Sequence, residues 1–126
     1  MPKLLIIDDE KPTLSMFRLF LNALGYDVLT AENGLEGMEL FKKEAPPIVL
    51  TDIKMPGIDG LAVLKQIKKI SPETEVIVIT GHGDLELAKE AMDLHASGFI
   101  HKPIDRQALE DALNKANEKL ASRSIG

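Results

Sequence analysis

Apolar residues gather into five short runs, Lys3 to Ile7, Tyr26 to Thr30, Ile48 to Thr51, Val76 to Ile79 and Gly98 to His101, each followed by a segment of helical length. Unbroken runs of Val, Ile and Leu suit strands buried on both faces. Regular alternation of such runs with helices predicts an α/β fold: a parallel sheet with helices on both sides.

The first helix is expected over about Thr13 to Leu24, with Leu14, Phe17, Leu21 and Leu24 as its apolar stripe, Pro12 in its first turn and Gly25 as its stop. Asn33 and Glu36 form a candidate capping box for the second, whose apolar positions are Leu35, Met38 and Phe41 and which ends at Pro46-Pro47. The third runs from near Gly60 to Ile70, capped by Asp59 and stopped at Ser71-Pro72. The fourth, after Asp84, presents Ala88, Ala91 and Met92, small residues that pack less tightly than large ones. The fifth runs from Arg106 to about Leu120 with Leu109, Ala112, Leu113, Ala116 and Leu120 on one side and Asp105 as its cap. Periodicity then fades, so 1–121 is expected to form one domain and 122–126 a tail or linker.

The chemistry sits where the apolar runs stop. Asp8 and Asp9 follow the first run, Asp52 the third, Thr80 the fourth and Lys102 the fifth. In an open parallel sheet these positions share the carboxyl edge, where such folds place their working sites. Carboxylates gathered there repel one another by roughly 4 kcal/mol per pair at about 4 Å and an effective dielectric near 20, so they call for a cation. Oxygen donors without histidine or cysteine favour Mg²⁺ over zinc. A carboxylate flanked by a metal and an ammonium can accept a phosphoryl group. Asp52 is the candidate acceptor, because Thr80 and Lys102 lie on the adjacent strands while Asp8 and Asp9 sit together as a metal clamp.

Composition removes several alternatives. The net charge of −5 argues against direct nucleic-acid binding, which needs a basic face. No cysteine is present, so a disulfide framework and a thiolate metal site are both excluded. MPKLLIIDDE has too short an apolar run for a signal peptide, and no stretch has the length of a membrane span, which leads to the expectation of a cytoplasmic protein.

IIDDE, LTDIKMPGIDG, ITG and HKP, in this order and spacing, resemble the bacterial response-regulator receiver domain over essentially the whole chain. The resemblance implies a flavodoxin-like sheet of order 2-1-3-4-5 with five helices. It implies that Asp52 takes a phosphoryl group from a sensor histidine kinase or a phosphotransfer protein, with no catalytic turnover beyond self-catalysed transfer and hydrolysis. Mg²⁺ would be held by Asp9, Asp52 and the backbone carbonyl of Lys54, with Asp8 assisting through water. Thr80 and Lys102 would contact the phosphoryl oxygens. Thr80 and Phe99 would form a switch that reshapes the surface of the fourth helix, fifth strand and fifth helix for a downstream effector or a phosphorylation-dependent homodimer. Pro103 would follow a cis bond. TGHGDLELAKEAM most resembles receivers of sigma-54-dependent activators, which suggests a regulatory domain of a transcriptional activator.

Two other readings compete. A Mg²⁺-dependent phosphohydrolase would also form an aspartyl phosphate, but it commonly carries a second aspartate two residues after the nucleophile, where this chain has Lys54. An interaction module that never meets phosphate would have no use for the whole set of acceptor, clamp, hydroxyl and ammonium. Lys54 and His82, each two residues beyond a site residue, are candidates for setting the lifetime of the phosphorylated state. His82, His95 and His101 otherwise read as surface or helix-end residues. Gly81 and Gly83 lack the spacing of a phosphate loop.

Overall fold

Period-two alternation sorts the side chains of each strand between two faces, and both faces are covered. The computed structural model describes residues 2–125, with side chains through Ser122. In chain order the elements are β1 (Lys3–Ile7), α1 (Lys11–Ala23), β2 (Asp27–Ala31), α2 (Gly34–Glu44), β3 (Ile48–Asp52), α3 (Gly60–Ile70), β4 (Glu75–Thr80), α4 (Leu85–Asp93), β5 (Gly98–His101) and α5 (Arg106–Ile125). The five strands are parallel, in the order β2-β1-β3-β4-β5.

On one face Leu4, Ile6, Ile48, Leu50, Ile77 and Ile79 pack with Phe17 and Leu21 of α1 and Leu109 and Leu113 of α5. Leu5, Ile7, Val49, Val76 and Val78 point the other way, onto Met38 and Phe41 of α2, Val63 and Ile67 of α3 and Ala91 of α4. Burial of one side chain such as Phe17 contributes about 1.5–3 kcal/mol, so the two layers together hold the sheet edge in place.

Local signals set the helix ends. Asn33 Oδ1 accepts from the Glu36 N–H at 2.8 Å and Asp59 Oδ1 from the Ala62 N–H at 2.9 Å, leaving fewer first-turn donors without a partner. Gly25 takes a φ of +97° after α1, a left-handed conformation that only glycine adopts cheaply. Ala45 ends α2 in a left-handed conformation of its own, φ 46°, before the two prolines.

Some expected core positions face outward. Leu24 lies in the turn after α1, and Leu35 and Met92 lie on the outer sides of α2 and α4, all three exposed. Each continues an apolar stripe in sequence, yet the burial of Leu14, Phe17 and Leu21, of Met38 and Phe41, and of Ala88 and Ala91 already fills each interface. The fifth helix is longer than its apolar stripe, because nothing from Ala121 to Ile125 breaks a helix. Within the expected tail at 122–126, residues through Ile125 are therefore helical in backbone, and Gly126 lies outside the described residues.

Candidate functional site

Sheet register explains why distant residues meet. Ile7 pairs with Thr51, Asp52 with Ile79, and Thr80 with His101, so Asp8 and Asp52 leave the sheet at one level, Thr80 one residue beyond it and Lys102 two, all at the same edge. The ladder continues past the strands, with the Asp8 N–H donating to the Ala31 carbonyl at 3.1 Å and the Lys102 N–H to the Thr80 carbonyl at 2.8 Å. Gly60 ties α3 to the same strand: its N–H donates to the Ile53 carbonyl at 3.0 Å, so that α3 begins against the strand end that carries Asp52.

At the centre is the Lys102 ammonium. It lies 2.6 Å from Glu10 Oε1, 3.2 Å from Asp52 Oδ2 and 3.3 Å from Asp8 Oδ2. Carboxylate oxygens of Asp8, Glu10 and Asp52 lie within 4.8 Å of one another. Asp8 is fully buried and Asp52 nearly so, whereas Glu10 is exposed. Asp8 Oδ1 accepts from the Glu10 N–H at 2.9 Å, while Oδ2 has the ion pair with Lys102 but no hydrogen bond.

The charges feel this arrangement. Burial pushes the Asp8 carboxyl above its ordinary value, against the pull of the Glu10 N–H and of Lys102. Burial, with the neighbouring Asp8 charge second, pushes Asp52 up as well, and Lys102 offsets only part of it. Burial works against the charge on Lys102, but the hydrogen bond to Glu10 and the fields of Asp52 and Asp8 outweigh it and hold the ammonium above its ordinary value. Glu10 is drawn down by its bond to Lys102. Two buried carboxylates that resist ionisation, built only of hard oxygen donors and with Asp8 Oδ2 lacking a hydrogen bond, suit a divalent cation such as Mg²⁺.

The expected site residues are not all gathered equally. Asp8, Asp52 and Lys102 meet, whereas Asp9 is exposed and is not one of the three clustered carboxylates. The Lys54 N–H reaches Asp52 Oδ1 at 3.4 Å, and the Lys54 side chain turns away to Asp84 Oδ1 at 2.8 Å. The Thr80 hydroxyl faces β5 and contacts the Ile100 carbonyl at 3.3 Å and His101 Nδ1 at 2.6 Å. Phe99 is 38% exposed and packs edge-on against His101 with ring centroids 5.3 Å apart. The bond between Lys102 and Pro103 is cis.

Three residues were missed from sequence. Glu10 sits in the IIDDE motif, but only the turn after β1 brings it to Lys102. Asp84, expected just before α4, makes no side-chain cap there: Oδ1 pairs with the Lys54 ammonium at 2.8 Å and Oδ2 accepts from the Gly81 N–H at 2.8 Å, and Lys54 first, then Gly81, holds its carboxyl below its ordinary value. His101 is exposed, as the sequence suggests, but its Nδ1 meets the Thr80 hydroxyl, a contact the sequence does not announce. Period two along β5 puts it on the same side as Phe99, which was the available signal.

Comparison with known proteins gives a consistent set. A family model described as response regulator receiver domain matches residues 4–114. Sporulation initiation phosphotransferase F of Bacillus subtilis is 36% identical over 113 residues, covering 90% of this chain and 91% of that protein. The DNA-binding transcriptional regulator NtrC of Escherichia coli is 39% identical over 124 residues, covering 95% of this chain but 26% of that protein, so the chain spans about a quarter of this relative. A crystal structure of a response regulator receiver domain protein from Clostridium thermocellum superposes with a TM-score of 0.90 at 37% identity, covering 99% of this chain and 98% of that one.

Proposed function

This chain belongs to the response regulator receiver domain family, and we propose that within a two-component system it accepts a phosphoryl group on Asp52 from a histidine kinase or phosphotransfer protein. The observation that carries this reading is the single ammonium of Lys102 at 3.2 Å from a nearly buried Asp52, beside a second, fully buried carboxylate. An Asp52 oxygen forms a bond to phosphorus as the bond from phosphorus to the donor imidazole nitrogen breaks, and the departing nitrogen keeps the electron pair. Lys102 offers its positive charge to the phosphoryl oxygens as they gather at Asp52. Mg²⁺, held by Asp9, Asp52 and the Lys54 carbonyl with Asp8 assisting, would supply further neutralisation of those oxygens; the clustered carboxylates of Asp8, Glu10 and Asp52, the first and last of them buried, support a cation at this edge.

Thr80 and Phe99 would carry the signal outward. A phosphoryl group of charge near −2 offers the Thr80 hydroxyl a stronger acceptor than β5 does, and its movement frees space into which the half-exposed Phe99 ring can turn. The surface of α4, β5 and α5 would then meet an effector domain, a downstream protein or a second copy. The relation to NtrC supports a regulatory role in a longer transcriptional activator. No described helix is long and apolar enough to cross a membrane. Membership of the receiver family supports a cytoplasmic location.

Incubation with a small phosphodonor and Mg²⁺, followed by intact mass and size-exclusion, tests the reading. The parent should gain one acid-labile phosphoryl group and Asp52→Asn none. Rapid multiple turnover of phosphomonoesters would indicate a phosphohydrolase instead, and no modification of the parent under any donor would overturn the proposal.

A further inference from the structure

Thr80 is fully buried, and its hydroxyl is already committed. It has one proton to give and two neighbours on β5, the Ile100 carbonyl at 3.3 Å and His101 Nδ1 at 2.6 Å. Either tautomer of the imidazole satisfies the shorter contact. Nδ1–H donates to Oγ1 while the hydroxyl proton goes to the carbonyl, or the hydroxyl donates to a bare Nδ1. The contact is built into the sheet, because Thr80 and His101 are register partners on parallel strands and so point to the same face. Phe99, two residues earlier on β5, shares that face, and its ring meets the imidazole edge-on with an interplanar angle of 74°. One imidazole therefore touches both residues whose movement the receiver function requires.

We propose that His101 is a positioning residue that latches the Thr80 hydroxyl and the Phe99 ring in the arrangement of the unphosphorylated protein, so that phosphorylation must displace the imidazole before Thr80 can turn toward Asp52. The inference rests on the phosphoacceptor reading above. Its consequence is a penalty on the phosphorylated state equal to the hydrogen bond that is lost. Valine at this position has the shape for an edge strand but offers Thr80 no partner. Asparagine places an amide where Nδ1 stands and keeps one.

Affinity for beryllofluoride with Mg²⁺, a mimic of the aspartyl phosphate, reads the latch directly. His101→Val should bind it about three- to ten-fold more tightly than the parent, as expected for release of one hydrogen bond, and His101→Asn should restore the parent affinity. In a Thr80→Ala background His101→Val should keep only the small share of that gain that release of the Phe99 ring supplies, whereas general loosening of β5 would give the full gain. The imidazole ¹⁵N spectrum gives an independent measure on folded protein: the His101 Nδ1 resonance should move when beryllofluoride is added, and also in Thr80→Ala. If the parent binds beryllofluoride and Asp52→Asn does not, yet His101→Val equals the parent or the Nδ1 resonance ignores Thr80→Ala, the latch is wrong and the phosphoacceptor reading stands. If the parent itself binds none, both fall.

Discussion

Replacing Asp52 by Asn should make the metal-free protein more stable, although it removes the proposed acceptor. At separations within 4.8 Å the Asp8–Asp52 repulsion is roughly 3.5 kcal/mol at an effective dielectric of 20. The attraction of Asp52 to Lys102 at 3.2 Å is roughly 5 kcal/mol on the same scale. Desolvation of a buried carboxylate adds a penalty of about several kcal/mol, so the unfavourable side wins. Solvent at the half-open edge and the relaxation of Lys102 toward Asp8 and Glu10 shrink the difference, and a gain of about 1 kcal/mol is expected. Asparagine can still accept from Lys102 and forfeits only the long contact with the Lys54 N–H. The pH dependence has a definite sign. Because burial raises the Asp52 carboxyl in the folded state, the parent keeps its full stability from this group below the unfolded value of about 3.9 and loses it as pH rises through the folded value. Urea unfolding in EDTA should therefore show the variant's advantage at neutral pH, shrinking toward about pH 4. Added Mg²⁺ should stabilise the parent more than the variant and narrow the gap. A variant no more stable than the parent at neutral pH in EDTA would refute this balance of charge and burial.

Gly60→Ala should be far more costly than its one added methyl suggests, because its Cβ would overlap the Asp52 carbonyl and approach the Ile53 Cα to 2.6 Å, both rigid backbone. Thermal or urea unfolding should show a loss of about 2–3 kcal/mol, with Asp52 phosphorylation slowed in the molecules that remain folded. Asn33→Ala removes the cap on α2 and should cost about 1 kcal/mol in the same assay without altering phosphorylation. Lys54→Ala breaks the 2.8 Å ion pair that joins the loop after β3 to the buried Asp84, and the dephosphorylation half-life should change; with His82→Ala beside it, unchanged half-lives in both would remove these residues from control of lifetime.

The sequence by itself determined the elements and their order in chemistry. Val, Ile and Leu runs that stop at Asp8, Asp52, Thr80 and Lys102 encode both buried strands and a polar edge, because a strand covered on two faces can place a charge only at its end. Asn33, Asp59 and Gly25 wrote their helix ends locally, through a side-chain acceptor or a left-handed backbone. Only the tertiary structure decided which polar groups touch. Glu10 rather than Asp9 joins the carboxylate cluster beside Lys102, Asp84 takes the Lys54 ammonium, and His101 holds the Thr80 hydroxyl. Leu35 and Met92 face outward for the same reason that these contacts were hidden. Periodicity states which side of an element a residue occupies. Strand register and loop path, fixed by the packing of the whole sheet, determine what stands opposite it.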